Sequence, residues 1–413
     1  MKAVQFLGSV PRWIYSKAMG SINPTAYYNG LSNVVLRDIE SPVLPSQEWV
    51  RVKTKLSGIC GSDKNLILLH DSPSTSPYSS FPFTIGHENC GTVIEMGSIA
   101  KEKLNGKITL NQNVLVDPLL SCIPRQVEEV CQNCKNGDYS LCNHFTDGIV
   151  SPGLSIGTCK DTGGGWSAEF VAHYSQLLSI PENISFEDVV LVDAFCSALH
   201  PVMRNFPSDD QTVLVIGCGV IGICAVAALR ALGSRAKIVA LAKYKFQGDM
   251  VLNYGADEVV YITEGTEYYK DLANSLDAKL LKPMMGKPVV SGGADVIFEC
   301  VGSATSIDDA LRFSKPKGTM VLIGLASLAN GIDLTPIWLS EVNVKGSFWC
   351  SSEVYNGTKM TTYQVALELL KSGKLSLNKL LTHKFKLEDY KKAIETNLSI
   401  GANKLIKSCF YFD

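Results

Sequence analysis

The chain has 413 residues, 46% apolar and 19% charged, with a formal charge of −2. That length exceeds what one compact core usually needs, so two domains are expected, and the composition is that of a folded chain. Near-neutral charge without a long basic run excludes nucleic acid and an anionic membrane as expected partners, and no apolar run approaches the ~20 residues that span a bilayer.

The N-terminal stretch Met1–Gly8 is too short and too interrupted for a signal peptide. A cytoplasmic location is therefore expected, with the sequons at Asn183 and Asn397 unmodified. Thirteen cysteines is a high count. In a cytosolic chain an odd number, with four clustered between Cys122 and Cys142, points to metal ligands and buried thiols rather than disulfides.

Lys2–Phe6, Val34–Ile39 and Glu48–Leu56 read as strands, the last by clear alternation. Between the first two, residues 8–33 read as a long loop rich in Gly, Ser, Asn and Tyr. Gly58–Glu88 follows. It offers the Cys60 thiolate, the Ser62 hydroxyl, the Asp63 carboxylate, the His87 imidazole and the Glu88 carboxylate. Those are zinc-ligand types with an acid/base group beside them. Within this stretch, the Ser/Pro-rich loop Asp71–Pro82 lies near where a substrate would enter.

Strands resume at Gly91–Met96, Asn113–Val116 and Ser167–His173, so the first part of the chain reads as all-β. Phe186–Met203 reads as a helix. Strands at Thr212–Ile216, Lys237–Leu241, Glu258–Ile262, Asp295–Cys300, Thr319–Gly324 and Val342–Phe348 then alternate with helices at Val220–Leu232, Lys245–Tyr254, Thr266–Asp277 and Ala304–Ser314. Such alternation predicts a doubly wound parallel sheet. Two further helices, Thr361–Ser372 and Leu387–Leu398, complete the tail.

Gly217-Cys218-Gly219-Val220-Ile221-Gly222 is GxGxxG with a strand before it and a helix after it. Gly217 permits the tight turn, Gly219 lets the backbone approach a pyrophosphate, and Gly222 allows helix and strand to close. The N–H groups of the helix start, at Val220 and Ile221, face the phosphates. At the end of the second strand, Ala242 stands where an NAD site usually places an acid. Lys243 and Lys245 beside it favour a 2′-phosphate, hence NADP over NAD; both are otherwise ordinary solvated charges.

Gly58–Asp63 (GICGSD), Gly86-His87-Glu88, the four-cysteine lobe, Gly163–Phe170 (GGGWSAEF), the GxGxxG segment and Asp295–Gly302 (DVIFECVG) occur in one order. On these motifs the chain resembles the zinc-containing medium-chain dehydrogenase/reductase superfamily, which includes alcohol, polyol and threonine dehydrogenases. The resemblance implies a GroES-like β domain interrupted by a Rossmann domain, an α/β chain. The boundaries it implies are 1–194 with 350–413 for the first, which carries the lobe at 122–142, and 195–349 for the second.

The resemblance further implies two zincs per chain. Cys60 and His87 match two ligands of the catalytic zinc. Asp193 matches the third best, with Cys196 the competitor. Glu88 matches the acid that approaches or leaves the metal, and Asp63 a carboxylate that orients the histidine. Cys122, Cys131, Cys134 and Cys142 match the ligands of a structural zinc, although Cys122 precedes Cys131 by nine positions where the family commonly has three. Ser62 matches the hydroxyl that relays the alcohol proton. Asn65 stands where many relatives have a relay histidine.

The function implied is hydride transfer between NADP(H) and a small alcohol or carbonyl substrate, in a homodimer or homotetramer. The alternatives are an NAD-dependent polyol or amino-alcohol dehydrogenase, a zinc-free quinone or enoyl reductase, and a non-catalytic nucleotide-binding protein. Trp166 and Phe195 are either pocket walls or core. Trp49, Trp338 and Trp349 are expected to pack inside.

Overall fold

A computed structural model describes all residues, Met1–Asp413. The chain forms two compact units, Met1–Asp193 with Thr358–Asp413, and Ala194–Gly357.

In the first unit, Lys2–Phe6 lies between Val34–Asp38 and Phe83–Thr84, antiparallel to both. A seven-stranded sheet is built on Trp49–Ile59. Asn89–Met96 and Glu169–His173 pair with it antiparallel, as does Lys407–Tyr411. Asn113–Val116, Leu177–Ser179 and Leu381–Phe385 extend the sheet. Val50, Val52, Val93, Val114, Val116 and Phe170 point into one core beneath it. The alternation of Trp49–Ile59 supplies that face, since residues two apart share a side of the sheet.

The second unit holds a six-stranded parallel sheet. Its order is Glu258–Tyr261, Lys237–Ala242, Thr212–Ile216, Ala294–Glu299, Ser314–Leu322 and Asn343–Gly346. The order reverses between Thr212–Ile216 and Ala294–Glu299, where such sheets bind ligands beyond their strand ends. Val213–Ile216 is a continuous buried apolar run because both faces are covered.

Residues 8–33 are not a plain loop. Val10–Gly20 is an α-helix with Pro11 in its first turn, and Pro24–Tyr27 is a 3₁₀ turn. Its apolar residues face outward and so do not mark a buried stripe. The Phe186–Met203 helix is two, Phe186–Val189 and Val192–Arg204. A hairpin, Lys279–Leu281 with Val289–Ser291, and the tail strands Leu381–Phe385 and Lys407–Tyr411 are additions to the expected elements. Trp338 is exposed rather than packed.

Candidate metal centres and dinucleotide site

The long strand Trp49–Ile59 ends at Cys60, which starts the helix Gly61–Ile67. The Cys60 amide donates to Asp63 Oδ2 at 2.8 Å, so the Asp63 carboxylate caps that helix start. The other oxygen, Oδ1, lies 3.5 Å from His87 Nδ1. One buried carboxylate thereby fixes both the turn that carries Cys60 and the ring of His87. Ser62 sits in the first turn of the same helix, half-buried. Asn65 is on that helix too, where its side chain has no basic group to offer.

Ligand atoms of Cys60, His87 and Glu88 lie within 4.8 Å of one another. The Glu88 carboxylate is split between two environments. Oε1 receives the Lys407 ammonium at 2.5 Å, with both side chains buried. Oε2 is buried with no hydrogen-bond partner. This close approach requires glycine at position 58, where a Cβ would stand 1.8 Å from Oε2. A buried carboxylate oxygen left without a donor is costly, and a bound cation would remove the cost.

Charge balance points the same way. Asp63 and Asp193 are both buried in this neighbourhood. Burial works against a charged His87, but Asp63, Cys60 and Asp193 outweigh it and hold the imidazole pKa well above its ordinary value. Burial itself lifts the Asp63 carboxyl. Lys407, with Glu88, Cys60 and Asp193 around it, is held above the ordinary lysine value despite its burial. The surplus of anionic groups over that one ammonium, with sulfur, nitrogen and oxygen donors together, fits a zinc ion.

Asp193, at the start of the Val192–Arg204 helix, is close enough to raise His87. One of its oxygens accepts from the Tyr363 hydroxyl, both groups being buried. Cys196 is buried farther along that helix. Lys407 and Tyr363 are the two site residues that sequence reasoning passed over. Each lies on a tail element far along the chain, and only pairing of Lys407–Tyr411 with Trp49–Ile59 brings Lys407 near Glu88. Trp166 belongs to the core: it is fully buried, donates to Gly58 O at 3.4 Å, and meets Phe410 edge-on at 4.9 Å. Phe195 is fully buried as well.

The second cluster is Cys122, Cys131, Cys134 and Cys142, all buried, with sulfurs within 4.8 Å of one another. The nine-residue step from Cys122 to Cys131 returns to the same point. Cys131 N–H approaches Cys122 Sγ at 3.4 Å, and His144 N–H approaches Cys142 Sγ at 3.3 Å. Arg125, fully buried in that step, donates to the carbonyls of Leu120, Asp147, Val150, Ser151 and Gly153 and so ties the loop down. The Cys134 sulfur, with backbone N–H groups and the other thiols, brings Cys142 down to about 5; burial lifts Cys122 to about 11. Four buried, converging sulfurs have the donor type and number of a closed structural zinc site.

In the second unit, Gly217 has φ +92, in the left-handed region that favours glycine. A Cβ at Gly222 would meet Gly217 O at 1.9 Å, so helix and turn can close only over glycine. A Cβ at Gly219 would meet nothing within 4 Å. The surface over Gly219, at the start of the helix Val220–Ala231, is thus open for a phosphate group. Val220 and Ile221 form the first turn of that helix. Ala242 is buried at its strand end. The Lys243 ammonium stands 5.5 Å from the Tyr244 ring centroid, whereas Lys245 is paired with Asp249 at 2.9 Å.

The folds are those of a GroES-like unit and a Rossmann-type unit. Residues 46–182 match the alcohol dehydrogenase GroES-like domain, and residues 220–371 match the zinc-binding dehydrogenase domain. The chain belongs to the zinc-containing medium-chain dehydrogenase/reductase superfamily. It is 28% identical over 395 residues to an L-idonate 5-dehydrogenase of Vitis vinifera, covering 94% of this chain and 95% of that one. It is 27% identical to a sorbitol dehydrogenase of Bombyx mori, covering 93% and 98%. Among solved structures, 2R,3R-butanediol dehydrogenase from Bacillus subtilis superposes with a TM-score of 0.71 at 22% identity, covering 100% and 99%, which shows the shared fold.

Proposed function

We propose that this chain is a zinc-dependent dehydrogenase that moves a hydride between the carbinol carbon of a polyol and NADP, with reduction of the matching ketose as the reverse reaction. The observation that carries the reading is the Cys60–His87–Glu88 cluster, whose Glu88 oxygen lacks a donor. The polyol class is supported by the idonate and sorbitol dehydrogenases among the relatives.

In this reading Cys60, His87 and Glu88 hold the catalytic zinc, Asp193 stands by as the fourth polar group, and the four lobe cysteines hold a structural zinc. What the bound groups supply is Lewis acidity toward the substrate hydroxyl, from the metal, and a hydride acceptor, from the nicotinamide. The chain's own residues do the rest. Asp63 orients His87, so that the ring presents Nε2 to the metal. Ser62 Oγ would take the substrate hydroxyl proton as it gives its own to solvent water, a role Asn65 cannot extend because an amide is not a base. Lys407 holds Glu88 by one oxygen and leaves the other to the metal.

Gly217, Gly219 and Gly222 let the backbone reach the pyrophosphate. Lys243 recognises the 2′-phosphate; Lys245 is the weaker candidate because Asp249 already neutralises it. A cytoplasmic location is proposed from the sequence, whose odd number of cysteines with four clustered at 122–142 suits metal ligands and buried thiols. A homodimer or homotetramer is proposed from the family resemblance.

The test is a panel of sugar alcohols, simple alcohols and the matching ketoses, with NADP and NAD in parallel and zinc measured on the same sample. Turnover of polyols with NADP and about two zincs per chain is expected from the two donor sets. Cys60→Ser should remove turnover and one zinc while leaving the lobe zinc. Full activity in that variant would sink the assignment.

A further inference from the structure

Two loops of the second unit flank the point where the strand order reverses, and they are built differently. The first follows Thr212–Ile216 and turns at Gly217 into the helix Val220–Ala231. No side chain caps that helix, so its first-turn N–H groups remain to be satisfied. The second follows Ala294–Glu299, and its N–H groups are already taken. Val301 N–H donates to Glu299 Oε1 at 2.9 Å. Gly302 N–H lies 3.0 Å from each oxygen of the same carboxylate. Both amides thus turn inward.

Glu299 is an unexpected residue for this place. It ends a strand at the centre of the sheet, paired with Ile216 on one side and Leu322 on the other, and it is fully buried. A buried carboxylate is costly unless donors meet its oxygens. Its partners are neutral: the two amides and Ser306. Burial pushes the carboxyl above its ordinary range, although these donors pull it down. An apolar side chain would fill the same space without that cost, so the acid serves the shape of the turn. The fit is close. Gly302 has φ +80, and a Cβ on it would meet the Leu325 carbonyl carbon at 2.8 Å. A Cβ on Gly324 would stand 2.1 Å from Gly302 N and 2.7 Å from Glu299 Oε2. Carboxylate, turn and the following loop are packed with backbone against backbone.

What the turn presents is Val301. Its Cγ2 lies 2.3 Å from where a Cβ on Gly217 would stand, so it rests on the first glycine of GxGxxG, yet the residue is 51% exposed. An apolar side chain is thereby held in the open at the crevice where such sheets bind their ligands. We propose, on the reading that this unit binds a dinucleotide, that Glu299 is a positioning residue for it. Glu299 turns the Val301 and Gly302 amides inward, and Val301 then forms an apolar wall over Gly217. The two loops divide the work. The helix start, with N–H groups to spare, takes the phosphates. The Val301 wall offers no donor and takes an uncharged face of the cofactor, a sugar or a ring.

The experiment is titration of the full chain with NADPH and with NADH, read by nicotinamide fluorescence, beside the melting temperature without cofactor. Val301→Asp should weaken binding about tenfold, the scale of one lost contact, and leave the melting temperature unchanged, because the side chain is half in solvent. Glu299→Leu removes both acceptors and should weaken binding by about tenfold as well. Glu299→Gln should restore affinity to within about threefold, since one amide oxygen can accept both N–H groups as Oε1 does. Asp309→Asn is the comparison: Asp309 is buried in the same unit and accepts from Tyr268 and Tyr269. It should lower the melting temperature without changing affinity. Wild-type affinity in Val301→Asp would overturn the proposal, and that variant decides the matter if Glu299→Leu does not fold. So would Glu299→Gln binding as weakly as Glu299→Leu, or Asp309→Asn losing as much affinity as Glu299→Leu. A wild type that binds neither nucleotide would sink the dinucleotide reading itself, whereas tight binding indifferent to Glu299 and Val301 refutes the positioning role alone.

Discussion

Lys407→Met probes the buried charge pair of the first unit. The Lys407 ammonium stands 2.5 Å from Glu88 Oε1, both side chains buried. Burial alone would drive the lysine toward neutrality, but Glu88, Cys60 and Asp193 hold its pKa above the ordinary value. A lysine raised in the folded state contributes fully below its unfolded pKa of about 10.4 and loses the contribution only as pH rises through the folded value. The pair is therefore complete throughout neutral pH. Methionine keeps the stem but strands the Glu88 carboxylate. Breaking a buried pair in this way costs ~3–5 kcal/mol. At about 2–4 °C per kcal/mol for a unit of this size, the melting temperature should fall by about 6–20 °C.

Calorimetry at neutral pH on metal-stripped protein measures the drop. Adding Glu88→Gln removes the stranded charge, so the double variant should melt well above Lys407→Met alone. Zinc-loaded Lys407→Met should lose less than the stripped form, because the metal takes over the carboxylate. The reasoning fails if Lys407→Met melts with the wild type, or if the double variant is no more stable than the single one.

Lys243→Ala should raise KM for NADP by about tenfold, the scale of one lost charge-assisted phosphate contact, and leave KM for NAD unchanged; parallel titration of both cofactors measures this, and equal effects would remove Lys243 from the phosphate site. Burial pushes the Asp117 carboxyl up to about 7. An acid raised in the folded state loses stability as pH climbs from its unfolded pKa, near 4, through the folded value. Asp117→Asn keeps the acceptor for the Leu119 amide and should therefore stabilise the protein by roughly 2–4 kcal/mol at pH 8 but not at pH 4; denaturant unfolding at both values checks it, and a pH-independent effect would refute the burial argument.

Much of the second unit was legible because parallel strands covered on both faces are continuous apolar runs, and Val213–Ile216 is one. Gly217, Gly219 and Gly222 stand out since their roles are local. The same holds for Cys131 and Cys134, three residues apart at a helix start. Local reading fails where a residue acts through distant pairing. Lys407 reaches Glu88 only because Ser408 pairs with Ile59 across the sheet, and nothing near Lys407 in the chain marks it. Tyr363 reaches Asp193 from another helix for the same reason. The Val10–Gly20 helix escaped because periodicity is sought as a buried apolar stripe, and here the buried positions are Ser16 and Gly20.

The third metal ligand separates motif matching from geometry. By resemblance, Asp193 matches the ligand position. In the folded chain, Glu88 shares a sphere of 4.8 Å with Cys60 and His87, and its Oε2 has no donor. One oxygen of Asp193 is engaged by Tyr363. A carboxylate held at one oxygen by an ammonium keeps the other available, and Glu88 follows His87 directly, so both stand just ahead of the strand Asn89–Met96. Glu88→Gln should then lower zinc from about two per chain to about one, since an amide is a far weaker zinc donor than a carboxylate. On the proposed reading Asp193→Asn should keep both zincs and lower turnover, because Asp193 would act through the negative potential it adds around His87 rather than as a ligand. Zinc content and turnover measured on the two variants side by side decide it. If Asp193→Asn loses the zinc and Glu88→Gln keeps it, the unsatisfied oxygen of Glu88 is no guide to the metal, and the match by sequence position is.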